Sequence, residues 1–276
     1  MVATGLTTAG LLVGTFGLLV GGGGTVAAQS SPAPVSGIKT AFNGSTMPAG
    51  WQLLDSQAQK DSLFQAHPGW VTLDAMPGGM YGKYAQPVNL LAHAVNPQGN
   101  YTVTVRMRYF AAAKHFGYWA YGRSAPPGGW QYANYQGTPP YQQGDVYLYE
   151  NRYNYVRVER MPSNNAIQFT VSQSSAKTNN VINEGIQTDP RAKAASDPSI
   201  YLRLVKRGTT YTGYYSFGGT HFHEIFQSTL SNFAPKYVAL QAHDTGAAKH
   251  FNYSQYDTFP VGFQDFTLSA AHGNTP

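Results

Sequence analysis

The chain predicts an all-β protein, and three observations predict it. Apolar and polar residues alternate with period two in one segment after another. The cleanest case is Tyr101–Tyr109, where Val103, Val105 and Met107 face one way and Thr102, Thr104, Arg106 and Arg108 the other. The stretch from Tyr201 to Ile225 reads as a strand, a polar turn at Arg207–Thr210, a second strand, a glycine turn at Gly218-Gly219 and the start of a third strand. Composition agrees: 20 Tyr and 30 Gly, with aromatics at 14% and charged residues at only 11%, suit a meander of short strands and tight turns.

Taken in order, residues 1–28 read as an export signal. Leu11 to Val20 form an apolar core, Gly21–Gly24 break it, and Val26-Ala27-Ala28 offer the small residues of a cleavage site, although no Lys or Arg precedes the core. The apolar run falls short of the ~20 residues a membrane span requires. Residues 29–37, with Pro32 and Pro34, read as a flexible linker, and 38–270 as one β-sandwich domain followed by a tail at 271–276. Export makes the expected location extracellular.

Within the domain, Phe42 to Trp51 opens the fold around a turn at Met47-Pro48-Ala49-Gly50. Strands are expected at Trp70–Leu73, Asn89–Ala92, Tyr101–Tyr109, Val146–Glu150, Tyr153–Arg160 and Phe169–Ser172, then through the Tyr201 meander, at Lys236–Ala242 and at Phe263–Leu268. Two packed sheets of about six or seven strands each follow, with Val103, Val105, Val156, Val158, Leu202, Leu204, Val238 and Leu240 in the core.

The segment "Y-L-R-hydrophobic, turn, Y-x-x-Y-Y-S, G-G-T" from Tyr201 onward resembles the concanavalin A-like domain at the C-terminus of family 43 glycoside hydrolases and related secreted proteins. Shorter stretches carry the same resemblance in the same order: Phe42 leading to Pro48–Trp51, Asn89-Leu-Leu, Asn154-Tyr-Val-Arg157, and the closing Phe263-Gln-Asp-Phe266. The resemblance spans about residues 42–269 and implies a concanavalin A-like jelly-roll β-sandwich of two antiparallel sheets. It also points to carbohydrate. Members often hold a structural calcium; Asp265 matches the acidic position of the closing signature, while Gln264 stands where relatives often place a second Asp. No other cofactor is expected.

The same composition excludes several function classes. Cysteine is absent, which removes disulfides, thiolate metal sites and Cys nucleophiles. A net charge of +5 without a Lys/Arg run argues against nucleic acid, and no membrane contact is expected once the signal is cleaved. The expected partner is a polysaccharide or oligosaccharide; oligomeric state is not encoded in any feature of the chain.

Two aromatic insertions, Ala111–Gly144 and Ala247–Val261, sit where rim loops bind ligands, or else cap the ends of the sandwich. On the non-core side of the strands, Arg106, Arg108, Arg157, Glu159 and Arg203 read as one face, either a ligand groove or a solvated surface with cross-strand pairs. Together these predict a binding groove lined by Trp119, Trp130, Tyr132 and Tyr135, by Arg157 and Arg203, and by His243-Asp244 in the turn after a strand. No catalytic set stands out: no E-x-D-x-x-E spacing, no G-x-S-x-G, and only an isolated His221-Phe-His223 pair. Carbohydrate binding without chemistry is the leading expectation. A glycoside hydrolase or polysaccharide lyase on the same scaffold, or a cell-surface assembly protein, are the alternatives.

Overall fold

A computed structural model describes residues 37–54, 64, 67–77, 80, 87–110, 142–161, 166–174, 181–192, 199–244 and 260–271. The expected signal, nearly all of the linker, and the end of the tail lie outside these residues.

Two sheets face each other across a common core. The first has seven strands, in the order β1 (Ile38–Thr40), β15 (Pro260–Ala270), β6 (Tyr101–Tyr109), β11 (Ile200–Arg207), β12 (Thr210–Ser216) and β13 (His223–Thr229), with β3 (Val71–Asp74) also paired to β15. The second has eight: β10 (Val181–Thr188), β9 (Ala166–Ser172), β8 (Asn154–Met161), β7 (Gln142–Asn151), β14 (Tyr237–Asp244), β5 (Leu90–Ala94) and β2 (Trp51–Leu54), with β4 (Met76–Pro77) beside β14. Every pairing is antiparallel except the two-residue contact of β4 with β14. Among the described residues the one helical element is a short 3-10 turn at Pro190–Ala192.

Alternation decides which side chains enter the core. All eight residues expected there are fully buried. They belong to one cluster with Phe169, Phe263, Phe266 and Trp51, where each buried large side chain contributes about 1.5–3 kcal/mol. Gly213 is small because packing demands it: a Cβ there would stand 2.4 Å from Phe169 and 2.7 Å from Val158 of the opposite sheet. At the opening turn, Gly50 takes φ 82° and Trp51 N–H closes onto the Pro48 carbonyl at 3.2 Å.

Three sequence expectations need correction. Strand β10 has no counterpart among the expected strands, because its run of partly exposed residues resembles a loop until it is paired with β9. His243-Asp244 lies inside β14 rather than in a turn after it. The charged residues outside the core do not share a face. Arg106, Arg108 and Arg203 leave the seven-stranded sheet, whereas Arg157 and Glu159 leave the eight-stranded one. Alternation separates core from non-core within a strand, and the assignment of that strand to a sheet comes only from long-range pairing.

Candidate functional site

The outer face of the eight-stranded sheet is itself closed over. Met80, Leu90, Ala92, Tyr147, Tyr149, Tyr155 and Ala239 form a second apolar cluster there, separate from the core between the sheets. Register places a polar row next to it. Gln241 of β14 stands opposite Asp145 of β7, Asp145 opposite Glu159 of β8, Glu159 opposite Gln168 of β9, and Gln168 opposite Ile186 of β10. The neighbouring row runs Ala239, Tyr147, Arg157, Thr170 and Glu184.

The centre of these rows is a buried ionic cluster. Arg157 donates from Nη2 to Glu159 Oε1 at 2.8 Å, and its Nη1 lies 3.8 Å from Asp145 Oδ2. Tyr147 donates its hydroxyl to Asp145 Oδ2 at 2.9 Å, and Thr170 donates to Glu159 Oε1 at 3.3 Å. His243 Nε2 stands 2.6 Å from Asp145 Oδ2, a separation that requires a proton between the two atoms. Assigning that proton to Nε2 makes His243 a donor to Asp145, and its 3.3 Å approach to Arg157 Nη1 is then contact without a hydrogen bond. Asp145, Glu159 and His243 have no accessible surface, and Arg157 is 2% exposed.

Burial is the largest influence on Glu159, raising its pKa to about 8; the adjacent Arg157 guanidinium and the Thr170 hydroxyl work against that rise, and Asp145 adds to it. Glu159 therefore gives up its proton at a higher pH than an ordinary carboxylic acid. Burial opposes the charge on Arg157, but Glu159, the two tyrosines and Asp145 outweigh it and hold the guanidinium firmly protonated.

Asp145, Glu159 and His243 each present an atom within 4.8 Å of the others, a spacing that suits a metal ion. The guanidinium of Arg157 already lies among them, bonded to one carboxylate and close to the second, and supplies the positive charge an ion would bring. The donor set therefore fits an arginine-centred cluster better than a metal. Several buried atoms in and beside it lack a hydrogen-bond partner among the described residues: Gln143 Oε1, Asp145 Oδ1, Arg157 Nε, Glu159 Oε2, Gln241 Oε1 and His243 Nδ1. Such a concentration at one locus is unusual, since buried polar atoms are overwhelmingly paired.

Of the residues the sequence marked, Arg157 and His243 do meet. Asp244 follows in the same strand. Arg203 lies in β11 of the other sheet, and its side chain leaves the core on the opposite side of the sandwich. A single groove holding both arginines is not formed. Trp119, Trp130, Tyr132 and Tyr135 lie outside the described residues. Asp265 occupies a bulge of β15 with φ 52°, a left-handed conformation that Asp tolerates better than most residues. It belongs to no group of three carboxylate or imidazole ligands among the described residues.

Sequence reading passed over Asp145, Tyr147, Gln168 and Gln241. Carrying the outward alternation of Tyr149 and Tyr147 back two more residues reaches Asp145. Gly144 and Asp145 look like turn residues, however, so the pattern places the start of the strand at Val146, whereas β7 begins at Gln142.

No family model matches this sequence, and no curated protein does. Solved structures do match in fold. The GH43 BlXynB protein from Bacillus licheniformis superposes with a TM-score of 0.56 at 13% identity over 84% of this chain. A xylan beta-1,4-xylosidase from Bacillus halodurans C-125 gives 0.52 at 12% identity over 84%. This chain spans 39% and 38% of those two proteins, so it corresponds to a part of each. A prokaryotic beta-1,3-1,4-glucanase (lichenase) from a mouse hindgut metagenome gives 0.54 at 9% identity, over 86% of this chain and 100% of that one. The fold is thus the jelly-roll β-sandwich that these structures share.

Proposed function

We propose that this chain is an exported carbohydrate-binding β-sandwich whose ligand is held on the outer face of the eight-stranded sheet. The observation that carries this reading is the set of unpaired buried atoms around Arg157. Most are acceptors, with one guanidinium N–H among them, and a sugar's hydroxyls both donate and accept. A polyol lying along the row from Gln241 to Gln168 would satisfy them, with the flanking tyrosines against its C–H faces. The proteins sharing the fold, named for xylan and for mixed-linkage glucan, make those polymers the first to try. The cluster is inaccessible in the free protein, so this face must open for a glycan to enter, and association slower than the usual protein–ligand rate is expected.

Calorimetric titration with xylan and beta-1,3-1,4-glucan oligosaccharides tests the proposal. The substitution Asp145→Asn should weaken binding by about ten- to a hundredfold, the cost of about 1–3 kcal/mol for a mispaired buried partner. Unchanged affinity in a folded variant would refute it.

One observation favours a second reading, glycoside hydrolysis. Burial raises the pKa of Glu159, and Asp145 stands opposite it on the adjoining strand, two carboxyl groups side by side of the kind that an acid and a nucleophile or base require. In that reading Glu159 gives its proton to the leaving oxygen. Release of reducing ends, lost in Glu159→Gln while binding persists, would establish it; binding without product leaves a lectin. A structural calcium at Asp265 would have to draw mainly on backbone carbonyls, and thermal melts with and without chelator decide whether one is held.

A further inference from the structure

The outer face of the seven-stranded sheet carries a different arrangement, independent of the cluster around Arg157. Arg106 of β6 stands opposite Tyr201 and Gln264, and Arg203 of β11 stands opposite Thr104 and Tyr214. The two are therefore diagonal neighbours on adjacent strands, with attachment points about 7–8 Å apart. Each uses its Nε to bond a hydroxyl: Arg106 to Ser199 Oγ at 2.9 Å and Arg203 to Thr104 Oγ1 at 3.0 Å. That bond fixes the plane of the fork and leaves its outer edge available. Among the described residues the terminal nitrogens of Arg203 have no hydrogen-bond partner, and Nη1 of Arg106 has one long bond, 3.5 Å, to Gln264.

Aromatic rings back both forks. Arg106 lies over Trp70 at 5.4 Å and Tyr201 at 5.9 Å, and Arg203 lies 3.3 Å from the centre of Phe222. Among the described residues no carboxylate pairs with either arginine. Burial lowers the pKa of Arg203 and the neighbouring Tyr214 offsets it only in part, so its charge is a cost to the free protein. Lys39 extends the row of Arg203 across β15, and Glu224 is an exposed acid at the far edge, opposite Tyr214.

We propose that this face binds an acidic polysaccharide, whose carboxylate or sulfate groups are gripped by the forks of Arg106 and Arg203. Planar guanidinium forks match both oxyanions with paired hydrogen bonds. Their half-exposed aromatic surround on an open sheet suits an extended sugar chain. Nucleic acid is disfavoured because the positive charge is confined to a few residues in a chain of net charge only +5.

The test is affinity electrophoresis of the full chain at low ionic strength in polygalacturonate, dextran sulfate and unsubstituted dextran. Retardation by at least one acidic polymer, and none by dextran, is expected; the polymer that retards identifies carboxylate or sulfate as the bound group. Replacing both residues, Arg106→Gln and Arg203→Gln, should weaken retention by about tenfold or more. The Arg106→Lys and Arg203→Lys pair, which keeps charge but loses the fork, should also weaken it and is the milder change for folding. Arg152→Gln removes the same charge from an exposed turn of the other sheet and should leave retention unchanged. Equal retention in dextran, equal loss from Arg152→Gln, full retention by the Gln pair, or tighter binding of a single-stranded oligonucleotide would each overturn the proposal.

Discussion

The two outer faces of the sandwich are built from the same alternating pattern and end in opposite electrostatic states. On the eight-stranded sheet the outward arginine is 2% exposed and shares its charge with Glu159 and Asp145. On the seven-stranded sheet Arg106 and Arg203 are half-buried, bonded to hydroxyls, stacked on rings and paired with no acid among the described residues. The difference lies in what surrounds the sheet. A second apolar cluster closes over one face, so its charges must neutralise each other; the other face remains in reach of solvent and tolerates isolated charge.

Deleting one partner from each face should bring this out most sharply. Arg157→Met leaves Glu159 and Asp145 buried without their cation and should cost about 3–5 kcal/mol of stability, read from urea unfolding. A cost near zero would mean that the cluster is solvated and the contrast between faces is false.

The pH dependence sharpens the same point. Glu159 has its pKa raised from 4.5 to about 8, so between those values the folded protein holds a proton that the unfolded chain releases. Its contribution is therefore fully present below the lower value and is lost as pH rises through the upper one. Stability should fall from about pH 5 to about pH 8, and Glu159→Gln should flatten that slope. A slope of equal size in the variant would assign it to other groups. A smaller effect belongs to Tyr147→Phe, which removes the donor to Asp145 Oδ2 and should cost about 1–2 kcal/mol without altering the seven-stranded face.

Much of the fold was legible in the chain because strand alternation and turn chemistry are local. Val103 and Val105 of β6, and Leu202 and Leu204 of β11, announce their core side within a few residues, and the Tyr201 meander folds as read. What was not legible depends on pairing between distant segments. Arg157 and Arg203 have the same local pattern, and only membership of β8 and β11 in different sheets separates them. Asp145 was hidden by Gly144, a residue that reads as a turn. In the fold it is a strand position where a Cβ would come within 2.3 Å of Met107. Strand β10 was hidden for the converse reason: as an edge strand with Ile182 and Ile186 40% and 51% exposed, it has no clean apolar face to betray it.

The smallest expected effect is on the open face, and it is the one that most directly tests whether that face is free. Arg203 gains its stacking on Phe222 and one hydrogen bond to Thr104, but half-burial opposes its charge and no carboxylate among the described residues repays the desolvation. Gains and losses nearly cancel, and Arg203→Met keeps most of the apolar contact with the ring. Stability should therefore change by less than about 1 kcal/mol in either direction, against the several lost at Arg157. Parallel urea titrations of the two variants give the comparison directly. A loss above about 2 kcal/mol at Arg203 would mean that this arginine is a structural strut rather than a group available to a ligand.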